Sequence, residues 1–213
     1  MSRNILVIRH ADVYDNPGGK RVLYGNLPGY WLTQLGIRQA RAAGDFLKDY
    51  CELDLVVSSP LERTRQTSEI IIVHNNGNPD LLLDEELRDI GVSPWEGRVL
   101  REDWAENRER HWQQQLNQSV EGLEHPTAMQ ERALRAFAKH GSQHPDANIL
   151  FVSHGDIICF LLQHFANEPM EPLVNYHRGV NKASVFGIDT GPPAVITKLY
   201  EPTEYGTVYP RGR

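Results

Sequence analysis

The chain has 213 residues, 40% of them hydrophobic and 23% charged, a composition that supports a packed core and excludes global disorder. Its formal net charge of −6 excludes a general nucleic-acid footprint, so any anion site has to be a local gathering of positive groups. Cys51 and Cys159 are far apart and form no CxxC or metal-ligand spacing; both read as reduced, buried small hydrophobes, which fits a cytoplasmic protein.

Residues 4–8 (NILVI) form a short β-branched apolar run, which predicts a buried strand ending at Arg9-His10. The run is too short for a secretory signal, and the longest apolar stretch, Ile157 to Leu162, is too short to span a bilayer. Residues 11–32 are rich in Gly, Pro, Asn and Tyr and predict a long loop. A helix follows, with Thr33 as N-cap and Leu35, Ala40, Ala43, Phe46 and Leu47 on its buried side. Residues 53–57 predict a second buried strand. Ser59, Pro60 and Glu62 then predict the N-cap, first and third positions of a helix over about 61–73. Leu81–Leu83 predicts a short strand, and residues 98–118 a charged helix anchored by Trp104 and Trp112. An amphipathic helix over 127–140, a third buried strand over 149–152 and a helix over 156–165 come next. Terminal strands are expected at 184–188 and 195–199, with an irregular tail after Glu201. Alternating strands and helices predict a three-layer α/β/α sandwich with a mostly parallel central sheet. One domain over 1–213 is expected, with 92–125 as a lid-like insertion.

Basic groups follow the ends of three predicted strands: Arg9 and His10 after the first, Arg63 after the second, His154 after the third. In open α/β sheets ligands bind at the carboxyl ends of the strands. Helices opening near Pro60 and Asp156 aim N–H groups at the same place. A small anion is the natural guest, and phosphate suits the arginine fork.

The same residues carry a resemblance. Ile8-Arg9-His10-Ala11 followed by Asn16 resembles the R-H-G-x-T-x-x-N signature of the histidine phosphatase superfamily, also called phosphoglycerate mutase-like. The run 58–67 (SSPLERTRQT) is similar to its S-S-P-L-x-R-x-x-Q-T, and 152–155 (VSHG) to its V-S-H-G. Leu87-Arg88-Asp89-Ile90 through Trp95-Glu96-Gly97 resembles its L-x-E-I…W-E-G. Ala11, Val13 and Asp89 stand where that pattern has glycine, threonine and glutamate.

The resemblance implies a phosphoglycerate mutase-like fold and a phosphatase acting on a small phosphorylated metabolite, with no cofactor and no metal. His10 is the implied nucleophile. Arg9, Arg63 and His154 are the implied groups that neutralise the phosphoryl oxygens, Asn16 and Gly155 add contacts, and Asp89, with Glu86 in reserve, is the implied proton donor. Tyr24 and Tyr30 fall where the family places a loop bordering the pocket. Arg65 reads as a surface charge and Trp95 as packing. A homodimer is compatible with the resemblance. Within the same chemistry a phosphoglycerate mutase-type phosphotransferase is the alternative. Of other classes, a non-catalytic phosphate-binding protein stays open, as does a metal-dependent hydrolase using His10-Ala11-Asp12 and His154-Gly155-Asp156. Two arginines at one site argue against a cation there.

Overall fold

The computed structural model describes residues 3–14, 22–93, 95–98, 119, 121–170 and 179–203. In chain order the elements are β1 (Ile5–Arg9), α1 (Gln34–Tyr50), β2 (Leu55–Ser58), α2 (Glu62–His74), β3 (Asp80–Leu83), a 3-10 turn (Glu85–Leu87), α3 (Pro126–Gln143), β4 (Ile149–Ser153), α4 (Gly155–Phe165), β5 (Val185–Asp189) and β6 (Val195–Tyr200). The strands form one six-stranded sheet in the order β3-β2-β4-β1-β5-β6. The first four in that order run parallel, and β5 and β6 add antiparallel neighbours. The sheet is therefore mostly parallel, as the alternation of strands and helices predicts.

Side chains alternate across a strand, so a strand covered on both faces is apolar throughout. Ile5 and Val7 of β1, Leu55 and Val57 of β2 and Ile149 and Phe151 of β4 pack with Met129, Ala133 and Phe137 of α3 and with Ile157 and Ile158 of α4. Leu6, Ile8, Val56, Leu150 and Val152 face the other way, onto Ala40, Ala43 and Leu47 of α1 and Ile71 of α2. Two cores, one on each face, make the three layers. Among the described residues no helix is long and apolar enough to cross a membrane.

Thr33 caps α1 as predicted, its hydroxyl accepting from the Gly36 N–H at 2.9 Å. The buried face differs in detail. Gly36 and Gln39 are buried where Leu35 was expected, because the Asp12 carbonyl lies against the helix: a Cβ at Gly36 would sit 2.0 Å from that oxygen. The start of α2 is also corrected. The helix opens at Glu62 with Leu61 at the cap and no side-chain cap bond. The Ser59 hydroxyl accepts from the Leu61 N–H at 3.4 Å and is also taken by a side chain that follows β4, described below.

Val92 and Leu123 form an antiparallel bridge, so the two ends of the predicted 92–125 excursion meet. The predicted helix over 98–118 lies almost wholly outside the described residues, as does most of the tail after Glu201.

Candidate active site

β1, β4 and β2 lie side by side and end level, with Arg9 opposite Ser153 and Ser58 opposite Val152. The residues just beyond those ends therefore meet. His10 is tied to the neighbouring strand by its backbone N–H, which donates to the Ser153 carbonyl at 2.9 Å. The next N–H, that of Ala11, donates to the Thr67 hydroxyl of α2 at 3.1 Å. The Ala11 methyl, which replaces the family's glycine, is fully buried in the core under α1, and Val13 joins the same cluster. Both departures are thus absorbed by packing.

The His10 side chain is buried, and its Nδ1 lies 2.8 Å from the Ala11 carbonyl. A carbonyl can only accept, so Nδ1 carries the proton and Nε2 keeps its lone pair. Burial pulls the His10 pKa well below the usual value, and the charges of Arg63, Arg9 and Lys182 pull it further. The imidazole is neutral.

Arg63 enters from the first turn of α2 and is fully buried. Its Nη2 donates to the Gly25 carbonyl at 2.7 Å and to the Asp89 carboxylate at 3.0 Å. Its Nε donates to His154 Nδ1 at 3.3 Å. Nη1 is buried and has no hydrogen-bond partner among the described residues. A buried guanidinium N–H is strongly expected to find an acceptor, so an anion's oxygen fits there. The Tyr24 ring covers the guanidinium, 4.7 Å from Cζ to centroid, and stacks at 4.8 Å on Tyr30.

His154 follows β4 and precedes Gly155, the first residue of α4. Its Nδ1 accepts from Arg63, which fixes the proton on Nε2, and Nε2 donates to the Ser59 hydroxyl at 2.9 Å. The His10 and His154 rings are 5.4 Å apart. Burial, then the charges of Arg63, His10, Arg132 and Arg9, hold the His154 pKa well below its usual value.

Asp89 completes the cluster, its Oδ2 3.0 Å from Arg63 and 3.4 Å from His154 Nδ1. Burial pushes the Asp89 pKa up, and the neighbouring Arg63 charge opposes that shift without reversing it. Glu86, the reserve candidate, pairs instead with Arg135 of α3 at 2.9 Å. Arg65 is a surface charge beside Glu69.

His10, Arg63, Asp89 and His154 are thus brought to one place with Tyr24 at its border; Arg9 donates to the Val180 carbonyl at 3.0 Å while its charge is felt at His10, Asp89 and His154, Gly155 follows His154 at the start of α4, and Asn16 lies outside the described residues. The sequence reading missed Lys182, which donates to Asp12 at 2.6 Å. Asp12 also accepts from the Thr33 hydroxyl at 2.8 Å, and its backbone N–H donates to Gln39 at 2.9 Å. Lys182 is 170 positions from Asp12, and no local pattern marks it. Asp12 is therefore engaged as an anchor of the His10 loop. Among the described residues no three His, Cys, Asp or Glu side chains gather as a metal-binding group.

Comparison with known proteins gives the family and the fold. The family model of the histidine phosphatase superfamily (branch 1) matches residues 5–198. A Bacillus subtilis (strain 168) protein described as an uncharacterized phosphatase, PhoE, is 30% identical over 158 residues, covering 74% of this chain and 75% of that protein. The crystal structure of the alpha-ribazole phosphatase from Shigella flexneri superposes with a TM-score of 0.72 at 25% identity, over 92% of this chain and 95% of that one. A mycobacterial glucosyl-3-phosphoglycerate phosphatase superposes with a TM-score of 0.71 at 22% identity, over 88% and 93%. With a neutral histidine at the end of β1, a buried arginine on α2 and a second histidine at the end of β4, the chain belongs to the histidine phosphatase superfamily.

Proposed function

We propose that the protein is a phosphatase that hydrolyses a small phosphomonoester through a phosphohistidine on His10. The observation that carries this reading is the buried, neutral His10, whose Nδ1–H is held by the Ala11 carbonyl while its ring feels the charges of Arg63 and Arg9 and lies 5.4 Å from that of His154.

In the first half-reaction the Nε2 lone pair forms a bond to phosphorus and the bond from phosphorus to the ester oxygen breaks. The departing oxygen takes the proton of the Asp89 carboxyl, whose protonated form burial favours. In the second half-reaction the Asp89 carboxylate takes a proton from water, the oxygen attacks phosphorus and the bond to Nε2 breaks. The sum is ester plus water giving alcohol plus inorganic phosphate. Arg63, through the unpartnered Nη1, and Arg9 offset the charge spread over the phosphoryl oxygens in the transition state. Asn16 and Gly155 are the contacts to the phosphoryl group that the family resemblance assigns, His154 joins them when its Nε2–H turns from the Ser59 hydroxyl to a phosphoryl oxygen, and Tyr24 borders the leaving group. The phosphatases among the relatives favour hydrolysis over mutase transfer. A reducing, cytoplasmic setting goes with this reading, since Cys51 and Cys159 are both free thiols.

The test is a panel of phosphorylated metabolites assayed in excess chelator with wild type and His10→Ala. Turnover of at least one ester should persist in chelator and fall by at least about 10³-fold in the variant. Equal activity in the variant, or activity abolished by chelator, would contradict the reading.

A further inference from the structure

The segment that delivers Asp89 is irregular backbone, so the acid's position depends on what holds residues 86–91. Buried backbone needs a partner for every carbonyl, and here one side chain supplies three of them. Arg132 of α3 donates through Nη1 to the Glu86 carbonyl at 2.6 Å and the Arg88 carbonyl at 2.8 Å, and through Nη2 to the Asp89 carbonyl at 3.0 Å. The carbonyl between them, that of Leu87, is taken by the Ser153 hydroxyl at 2.9 Å.

The guanidinium is itself braced by the Glu124 carboxylate, through Nε at 2.6 Å and Nη2 at 2.9 Å. The same carboxylate accepts from the Gly91 N–H at 3.0 Å, and the Glu124 N–H donates to the Gly91 carbonyl at 2.7 Å. Arg132 and Glu124 are only 13% and 21% exposed at the side chain, so this is a built fixture and not a surface ion pair. One turn and two turns further along α3, Arg135 pairs with Glu86, and His140 holds Asp84 at 2.8 Å. One face of the helix grips the segment along its length. The planar guanidinium fork is what lets a single residue reach three carbonyls and a carboxylate; a lysine ammonium has no such geometry.

We propose that Arg132, braced by Glu124, is a positioning residue for the reaction: it sets the Asp89 carboxyl at the leaving-group side of the site without touching substrate. This rests on Asp89 being the proton donor. A misplacement of about 1 Å at such a group is worth up to roughly 10²-fold in rate. The loss should depend on how much the leaving group needs a proton.

The experiment measures kcat and KM for a series of phosphomonoesters, from 4-nitrophenyl phosphate to simple alkyl phosphates, with wild type, Asp89→Asn, Arg132→Lys, Arg132→Met and the double variant Asp89→Asn/Arg132→Lys. Thermal unfolding of each variant is followed in parallel. For Asp89→Asn and both Arg132 variants, kcat/KM, which reports phosphoryl transfer to His10, should fall by about 10-fold to 10²-fold on alkyl esters and much less on 4-nitrophenyl phosphate. In the Asp89→Asn background Arg132→Lys should add almost nothing, because both substitutions remove one function. If Arg132→Met does not fold, Arg132→Lys, which keeps the charge and part of the bonding, carries the measurement. A kcat/KM loss equal across all leaving groups, or one that multiplies fully with Asp89→Asn, would reduce Arg132 to a stabilising contact and overturn the proposal. Those outcomes leave Asp89 as the acid. Should Asp89→Asn itself show no leaving-group dependence, Asp89 is not the acid and the positioning role falls with it.

Discussion

His10, His154 and Asp89 occupy one buried site, and burial acts on them in opposite directions. It disfavours the charged form of each, lowering the two histidines and raising the aspartate. The unfolded chain takes up protons at both imidazoles as pH falls below about 6.5, and the native site refuses them. Each histidine therefore lowers stability on acidification, at up to about 1.4 kcal/mol per pH unit. Asp89 acts in the other sense. Above its ordinary range the native carboxyl holds its proton more tightly than the unfolded chain does, which acts against the histidine effect on acidification. The net expectation is that unfolding free energy falls as pH drops from 6.5 to 5. The slope should be visibly shallower in His10→Ala, which removes one of the two resisting imidazoles. Denaturant titrations at fixed pH values measure this; an equal or steeper slope in the variant would show that His10 titrates normally in the native protein.

At the scale of elements, the elements of the sheet were legible because strands buried on both faces carry unbroken apolar runs: 4–8, 53–57 and 149–152 each found their strand within a residue or two. What was not legible came from contacts between distant segments. Ser59 has every local mark of a helix cap, yet its shortest bond is to His154, just past a strand and 95 positions away. Leu35 fits the apolar stripe of α1 better than Gly36, but α1 must approach the backbone that follows His10. That approach gives a direct expectation for Gly36→Ala. In an exposed helix the change would gain up to about 1 kcal/mol. Here the added methyl meets the Asp12 carbonyl at 2.0 Å, so α1 or the loop has to move, at a cost of about 1–3 kcal/mol. Calorimetry should find a lower Tm, and kcat should fall with the displaced loop. A Tm unchanged or raised would mean the loop has room that the structure does not show.

The whole molecule carries a net charge of −6 and still collects Arg9, Arg63 and Lys182 around one neutral imidazole. Part of the site was readable in advance, since His10 and His154 each directly follow a buried apolar strand and Arg63 lies in the first turn of the helix after another, whereas Asp89 came only through the family resemblance. The supports were not: Lys182, Arg132 and Glu124 belong to ordinary charged stretches, and only the fold brings them to the site. Everything catalytic depends on the Ala11 carbonyl leaving Nε2 of His10 as the attacking atom. The most direct measurement is to quench wild type within a single turnover, in chelator, and to determine by mass spectrometry and phosphorus NMR which atom holds the phosphoryl group. The structure predicts an acid-labile, base-stable adduct on Nε2 of His10. Phosphate on Nδ1, on any other residue, or on no residue at a rate that supports turnover, would contradict it.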